Sequence, residues 1–135
     1  MSYLWNSSLE TGYKTIDEQH RQLFDALNNI ATAFKRGKGY EELYKTLVFL
    51  TDYTVLHFNT EEELMKKHVY DEYYAHKQCH EDFKETVKEL IQRLKAEGPS
   101  EDLVVTVTAT IGDWLVSHIR VDDHKMAEFI SSKEK

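Results

Sequence analysis

The sequence predicts an all-α protein, an up-down-up-down antiparallel four-helix bundle preceded by an N-terminal arm. Three observations predict it. Apolar residues recur at alternating steps of three and four along four separate stretches, the period of a helix face packed into a bundle. Each stretch runs for about 20 residues, or about 30 Å of helix. The connections between stretches are short, so consecutive helices must run antiparallel. Residues 1–135 read as one domain, with the arm over about residues 1–15.

The arm shows no clear period, and Trp5 and Tyr13 are its candidate anchors to the bundle. Thr15-Ile16-Asp17-Glu18 resembles a capping box with Thr15 as N-cap. The first helix then buries Ile16, His20, Leu23, Leu27, Ile30 and Phe34, widened by Phe24. Gly37 and Gly39 end it after Lys35 and Arg36, which suit a helix C-terminus. The second helix starts near Tyr40 and ends near Lys66 and Lys67, with Leu43, Leu47, Leu50, Thr54, His57, Glu61 and Leu64 on its inner stripe. Asp71 is the candidate N-cap of the third helix. That helix carries Tyr73, His76, His80, Phe83, Val87, Leu90 and Leu94 inward and stops at Gly98-Pro99. Ser100 caps the fourth, whose stripe is Val104, Val107, Ile111, Trp114 and His118, with Leu103 and Leu115 beside it.

Composition narrows the function. A net charge of −7 with no dense basic patch argues against a nucleic-acid partner, which needs a basic face for phosphates. No apolar run approaches the ~20 residues of a membrane-spanning helix. The N-terminus lacks the basic start and apolar run of a signal peptide. The single cysteine, Cys79, cannot form an internal disulfide, which fits a reducing cytoplasm.

The stripes themselves carry the chemistry. Every predicted helix has a core-facing histidine: His20, His57, His76 with His80, and His118. One buried histidine is ordinarily a hydrogen-bonded core residue, but five on converging stripes would each need a partner in a core that offers few. Glu61 shares the stripe of His57, and a carboxylate there is costly unless it is paired or holds a metal. Up-down topology puts all five histidines and Glu61 at one end of the bundle. Imidazole with carboxylate and no thiolate suits iron, zinc, copper or manganese. Asp123 joins the set only if the fourth helix ends or deforms near Val121, because five residues turn about 140° around a regular helix. Asp122 competes with it on spacing alone. Cys79 points off the stripe and reads as an inert, partly buried thiol. His68 and His124 read as surface residues, and Glu62, Glu63, Lys66 and Lys67 as a solvated face.

The segments Ile16-Asp17-Glu18-Gln19-His20, His57-Phe58-Asn59-Thr60-Glu61-Glu62, His76-Lys77-Gln78-Cys79-His80 and Trp114-Leu115-Val116-Ser117-His118-Ile119, with Asp123 following, closely resemble the hemerythrins, in particular the bacterial single-domain form. The resemblance covers nearly the whole chain and selects Asp123 over Asp122. It implies two iron ions bridged by an oxo or hydroxo group. His76, His80 and His118 would hold one iron, His20 and His57 the other, and Glu61 and Asp123 would bridge them. Octahedral iron then leaves one position open, on the ion with two histidines, for dioxygen. Leu23, Phe58, Trp114, Leu115 and Ile119 would surround that position. The implied function is reversible dioxygen binding for storage, delivery or scavenging, without turnover. A sensor module, or a di-iron peroxidase or nitric oxide-handling enzyme, is the alternative.

Overall fold

Four apolar stripes can be buried at once only if they face a common axis. The computed structural model, which describes residues 6–37 and 39–134, places them so. The long helices are α1 (Lys14–Lys35), α2 (Gly39–Lys67), α3 (Tyr73–Glu97) and α4 (Glu101–His118). α1 packs against α2 and α4, and α3 against the same two, which closes the ring. No helix among the described residues is long and apolar enough to cross a membrane.

The inner stripes are those read from the sequence. Leu23, Leu27, Leu47, Leu50, Phe83, Leu94, Val107 and Ile111 are fully buried in one apolar cluster. Thr54 and Thr108 are buried with them, and each hydroxyl donates to a carbonyl one turn back, Leu50 O at 2.6 Å and Val104 O at 2.8 Å. That satisfies a polar group without a partner from another helix. At two stripe positions the register differs by one residue. Met65 rather than Leu64 is fully buried, and Leu115 is more deeply buried than Trp114.

The helix ends depart from expectation twice. α1 starts at Lys14, and Tyr13 precedes it with no side-chain cap, so the Thr15 capping box does not form. Asp17 serves the arm instead. Its carboxylate accepts from the Thr11 amide and hydroxyl, both at 2.8 Å, and from the Gly12 amide at 3.2 Å. Gly12 sits at φ +90°, so the reversal there needs glycine. Asp71 does not cap α3; Glu72 precedes that helix without a side-chain bond. The turn is fixed from the other side, by the end of α2. Val69 takes φ +53°, its amide donates to Lys66 O, and the Tyr70 amide reaches back to Met65 O. This is a Schellman closure with buried Tyr70 as its apolar seal. Ser100 does cap α4, accepting from the Leu103 amide at 3.0 Å.

The arm is pinned by a residue the sequence did not single out. A single turn at Ser7–Leu9 buries Leu9 in the main cluster. Tyr13 packs partly against a second cluster, and Trp5 lies outside the described residues. Beyond His118 the chain does not end its helix. It passes through a π-helical turn, Ile119–Asp123, into α5 (His124–Glu134). α5 contributes Met126 and Ile130 to the second cluster, with Ile16, Met65 and Tyr70. Ile16 lies one turn before His20 and Met65 one turn after Glu61, so apolar layers enclose the polar residues from both ends.

Leu47 is fully buried in the half of the bundle remote from the histidines. Leu47→Ala should lower stability by about 2–5 kcal/mol in urea denaturation and leave metal uptake unchanged. A loss well under 1 kcal/mol would contradict its place in a close-packed core.

Candidate metal centre

Five imidazoles arrive from four helices with Nε2 turned inward. His20 comes from α1, His57 from α2, His76 and His80 from α3 at i and i+4, and His118 from the last residue of α4. All are at most 4% exposed. Between them stand Glu61 and Asp123, both 0% exposed.

Asp123 gets there because the helix deforms. In the π-helical turn the His124 amide donates to Ile119 O, five residues back instead of four. That wider turn carries Asp123 round to the face of His118. The same turn leaves Asp122 half-exposed on the outer side, so Asp123 is the inward carboxylate.

The two carboxylates divide the imidazoles into two sets. Glu61 Oε1 lies 2.9 Å from His80 Nε2, 3.1 Å from His76 Nε2 and 3.9 Å from His118 Nε2. Its other oxygen, Oε2, lies 3.1 Å from His57 Nε2 and 3.5 Å from His20 Nε2. Asp123 repeats the division: Oδ1 faces His76 at 3.1 Å and His118 at 3.2 Å, and Oδ2 faces His20 at 3.0 Å. The donor atoms of Glu61, His76, His80, His118 and Asp123 fall within 4.8 Å of one another, as do those of His20, His57, Glu61 and Asp123. The result is two adjoining ligand sets that share both carboxylates.

Outer partners fix the rings. Gln19 Oε1 accepts from His57 Nδ1 at 2.7 Å, Glu62 Oε2 from His80 Nδ1 at 2.9 Å, and Asp122 Oδ2 from His118 Nδ1 at 2.8 Å. A proton held on Nδ1 leaves the Nε2 lone pair for the centre. Glu62 therefore corrects the sequence reading: it is 7% exposed, not part of a solvated face. Glu63, Lys66 and Lys67 are exposed as expected. Asp122 had a legible signal, its i, i+4 spacing from His118. Gln19 and Glu62 had none, because their partners sit on other helices. His68 and His124 lie off the centre, but both are half-buried rather than exposed. His68 Nδ1 donates to Leu64 O at 2.9 Å.

Charge here is frustrated without a cation. Burial opposes protonation of His20 and His76, but contacts with Asp123 and Glu61 overcome it and raise both to about 9. His118, also opposed by burial, is raised to about 12 by Asp123, Asp122 and Glu61. Burial works to raise Glu61 and Asp123, yet the surrounding imidazoles hold both well below the usual carboxylate range. Glu61 Oε2, both Asp123 oxygens and His118 Nε2 are buried without a hydrogen bond. Buried carboxylate oxygens rarely stay so. A cation in each ligand set would satisfy them, and imidazole with carboxylate suits iron. The residues fit two iron ions.

The comparisons agree. The family model described as "Hemerythrin HHE cation binding domain" matches residues 11–130. The chain belongs to the hemerythrin family. A bacteriohemerythrin of Pseudomonas aeruginosa is 33% identical over 98% of this chain and 89% of its own length. A myohemerythrin of Theromyzon tessulatum is 32% identical over 91% of this chain and 89% of its own. The crystal structure of a wild-type hemerythrin superimposes with a TM-score of 0.80 at 30% identity, covering 96% of this chain and 98% of that one. The hemerythrin resemblance read from the motifs therefore holds over the whole bundle.

The metal-free protein should show the charge frustration as pH dependence. Folded His20 and His76 titrate near 9 against an ordinary 6.5, so their contribution is complete below pH 6.5 and lost as pH rises through about 9. Glu61 and Asp123 act in the opposite sense: their contribution is complete above the ordinary carboxylate range and lost as pH falls below it. Metal-free protein should therefore melt highest between about pH 5 and 6.5 and progressively lower toward pH 9. A melting temperature flat between pH 6.5 and 9 would contradict the contacts described.

Proposed function

We propose that this hemerythrin-family chain binds dioxygen reversibly at two irons, for storage, delivery or scavenging in the cytoplasm. His76, His80 and His118 would hold one iron and His20 and His57 the other, with Glu61 and Asp123 shared between the two sets. The observation that carries this reading is the division of both carboxylates between the two imidazole sets, one oxygen to each. Bound iron supplies reversible electron exchange with dioxygen. The protein's own residues supply the rest.

Gln19, Glu62 and Asp122 hold the Nδ1 protons of His57, His80 and His118, so each ring presents its lone pair inward. The aromatic cover is stacked on the ligands. Phe58 lies parallel to His80, centroids 3.8 Å apart, and Trp114 stacks on His118 at 4.4 Å. Phe58, Leu23, Leu115 and Ile119 are at most 2% exposed, and Trp114 is half-buried at their edge. Phe58 and Trp114 thus cover ligands of the three-histidine set, and with Leu23, Leu115 and Ile119 they form the apolar surround that keeps water from the centre. A dry pocket offers few protons, which favours release of dioxygen unchanged over reduction. The reading places the protein among carriers rather than enzymes. The lone cysteine and acidic net charge support a cytoplasmic protein without a nucleic-acid partner.

Iron-reconstituted protein should contain two irons per chain by elemental analysis and change its optical spectrum reversibly on admission and removal of dioxygen. One iron per chain, or a preference for zinc with iron in excess, would overturn the reading. Glu61→Ala should abolish paired loading, because it removes an oxygen from both sets at once and leaves cations poorly compensated in a dry core. A mutant that kept two irons and the wild-type spectrum would exclude Glu61 as a bridge. Leu115→Ala should cost about 2–3 kcal/mol of packing and open a space that water enters beside polar groups. Its autoxidation in air should be faster than wild type at unchanged iron content; an unchanged rate would remove Leu115 from the cover.

A further inference from the structure

The surround of the centre is interrupted beside His76. A cavity of about 120 Å³ lies there, with Glu72, Ala75, His76, Asp122 and Lys125 among its walls. Glu72 and Lys125 form an exposed ion pair across it. The cluster of Ile16, Met65, Met126 and Ile130 closes the end of the bundle, and Phe58 and Trp114 cover another side. A hydrated divalent cation is costly to draw through apolar layers, so it needs a polar way in. His76 also differs from the other two imidazoles of its set. Glu62 holds His80 Nδ1 at 2.9 Å and Phe58 stacks on that ring; Asp122 holds His118 Nδ1 at 2.8 Å and Trp114 stacks on that one. No carboxylate among the described residues holds His76 Nδ1. Its polar contacts run inward, from Nε2 to Glu61 Oε1 and Asp123 Oδ1, both at 3.1 Å, and it meets the other two rings edge-on at 4.7 Å. A ring with no outer partner, beside open space, is free to change rotamer.

We propose that this cavity is the port through which ferrous iron enters and leaves the centre: Glu72 and Asp122 draw the cation in, and His76 turns into the cavity, takes it and carries it to Glu61 and Asp123. The proposal rests on the ligation of iron by His76 given above. Both carboxylates at the receiving end are fully buried and lie directly behind His76. Glu72 and Lys125 act on an incoming cation with opposite sign. Their ion pair is exposed and therefore weak, so Lys125 screens Glu72 without sealing the port. Once the ion has passed, His76 points inward again. A cavity of this size admits water, which accepts from His76 Nδ1 in the role that Glu62 and Asp122 fill for the other two rings.

The test is the rate of iron transfer, read apart from dioxygen binding. Metal-free full-length protein is mixed with ferrous iron without oxygen, quenched with a chelator at set times and assayed for bound iron; loss from loaded protein to the same chelator gives the reverse rate. Ala75 lines the cavity and takes no part in the centre. Ala75→Phe, matched to wild type in helix content by circular dichroism, should reach the same final iron content. It should slow uptake and loss by one common factor of about tenfold or more, because close-packed side chains leave a hydrated ion no way through. Lys125→Ala should speed uptake and Glu72→Gln slow it, each by about threefold or more at low salt, with both differences shrinking as salt screens the rim. Unchanged rates in Ala75→Phe, or faster loss from it, would overturn the port. Shifts of the two rim variants in the same direction, or none, would overturn entry past Glu72. Final iron content of wild type reads the di-iron site separately, so failure of that reading is distinguishable from failure of the port.

Discussion

Two buried carboxylates, Glu61 and Asp123, set the problem that the rest of the structure solves. Each is fully enclosed, and each faces imidazoles of both sets with a different oxygen. An apolar bundle would expel both groups, since an unpaired buried charge costs several kcal/mol. Five imidazoles and the cations they hold turn that cost into an attraction. The polar residues therefore sit between two apolar layers, with the main cluster on one side and the cluster of Ile16, Met65, Tyr70, Met126 and Ile130 on the other. The carboxylates need a dry, closed surround for strong interaction, and the clusters provide it.

Geometry follows from the same need. An α-helix cannot present residues five apart on one face, so the chain widens one turn after His118 to bring Asp123 inward. Asp122, four residues past His118, stays within reach of its Nδ1 from outside. One local deformation thus delivers an inward carboxylate and keeps the partner that orients a histidine.

Much of this was legible in the sequence because it obeys helical periodicity. The four stripes, the Gly98-Pro99 break, the Ser100 cap and the convergence of five histidines at one end all follow from steps of three and four. So does the need for a deformation near Val121, although not its form. The continuation into α5 was not foreseen, because a helix read as ending or deforming gives no reason to extend it. Features that depend on another helix stayed hidden. Glu62 looked like part of a charged run and instead accepts from His80 on α3. Gln19 gave no sign of reaching His57 on α2. Thr15 and Asp71 show why local cap signals mislead: α1 already starts at Lys14, one residue before Thr15, and the turn at Asp71 is already closed by Val69 and Tyr70.

The central claim is that Glu61 and Asp123 join two unequal metal sets into one unit. Mössbauer spectroscopy of iron-loaded protein, with an applied magnetic field, tests it most directly. A three-histidine and a two-histidine site joined by shared carboxylates should give two equally populated iron environments whose spins are coupled. A single environment, unequal populations or magnetically independent irons would contradict it.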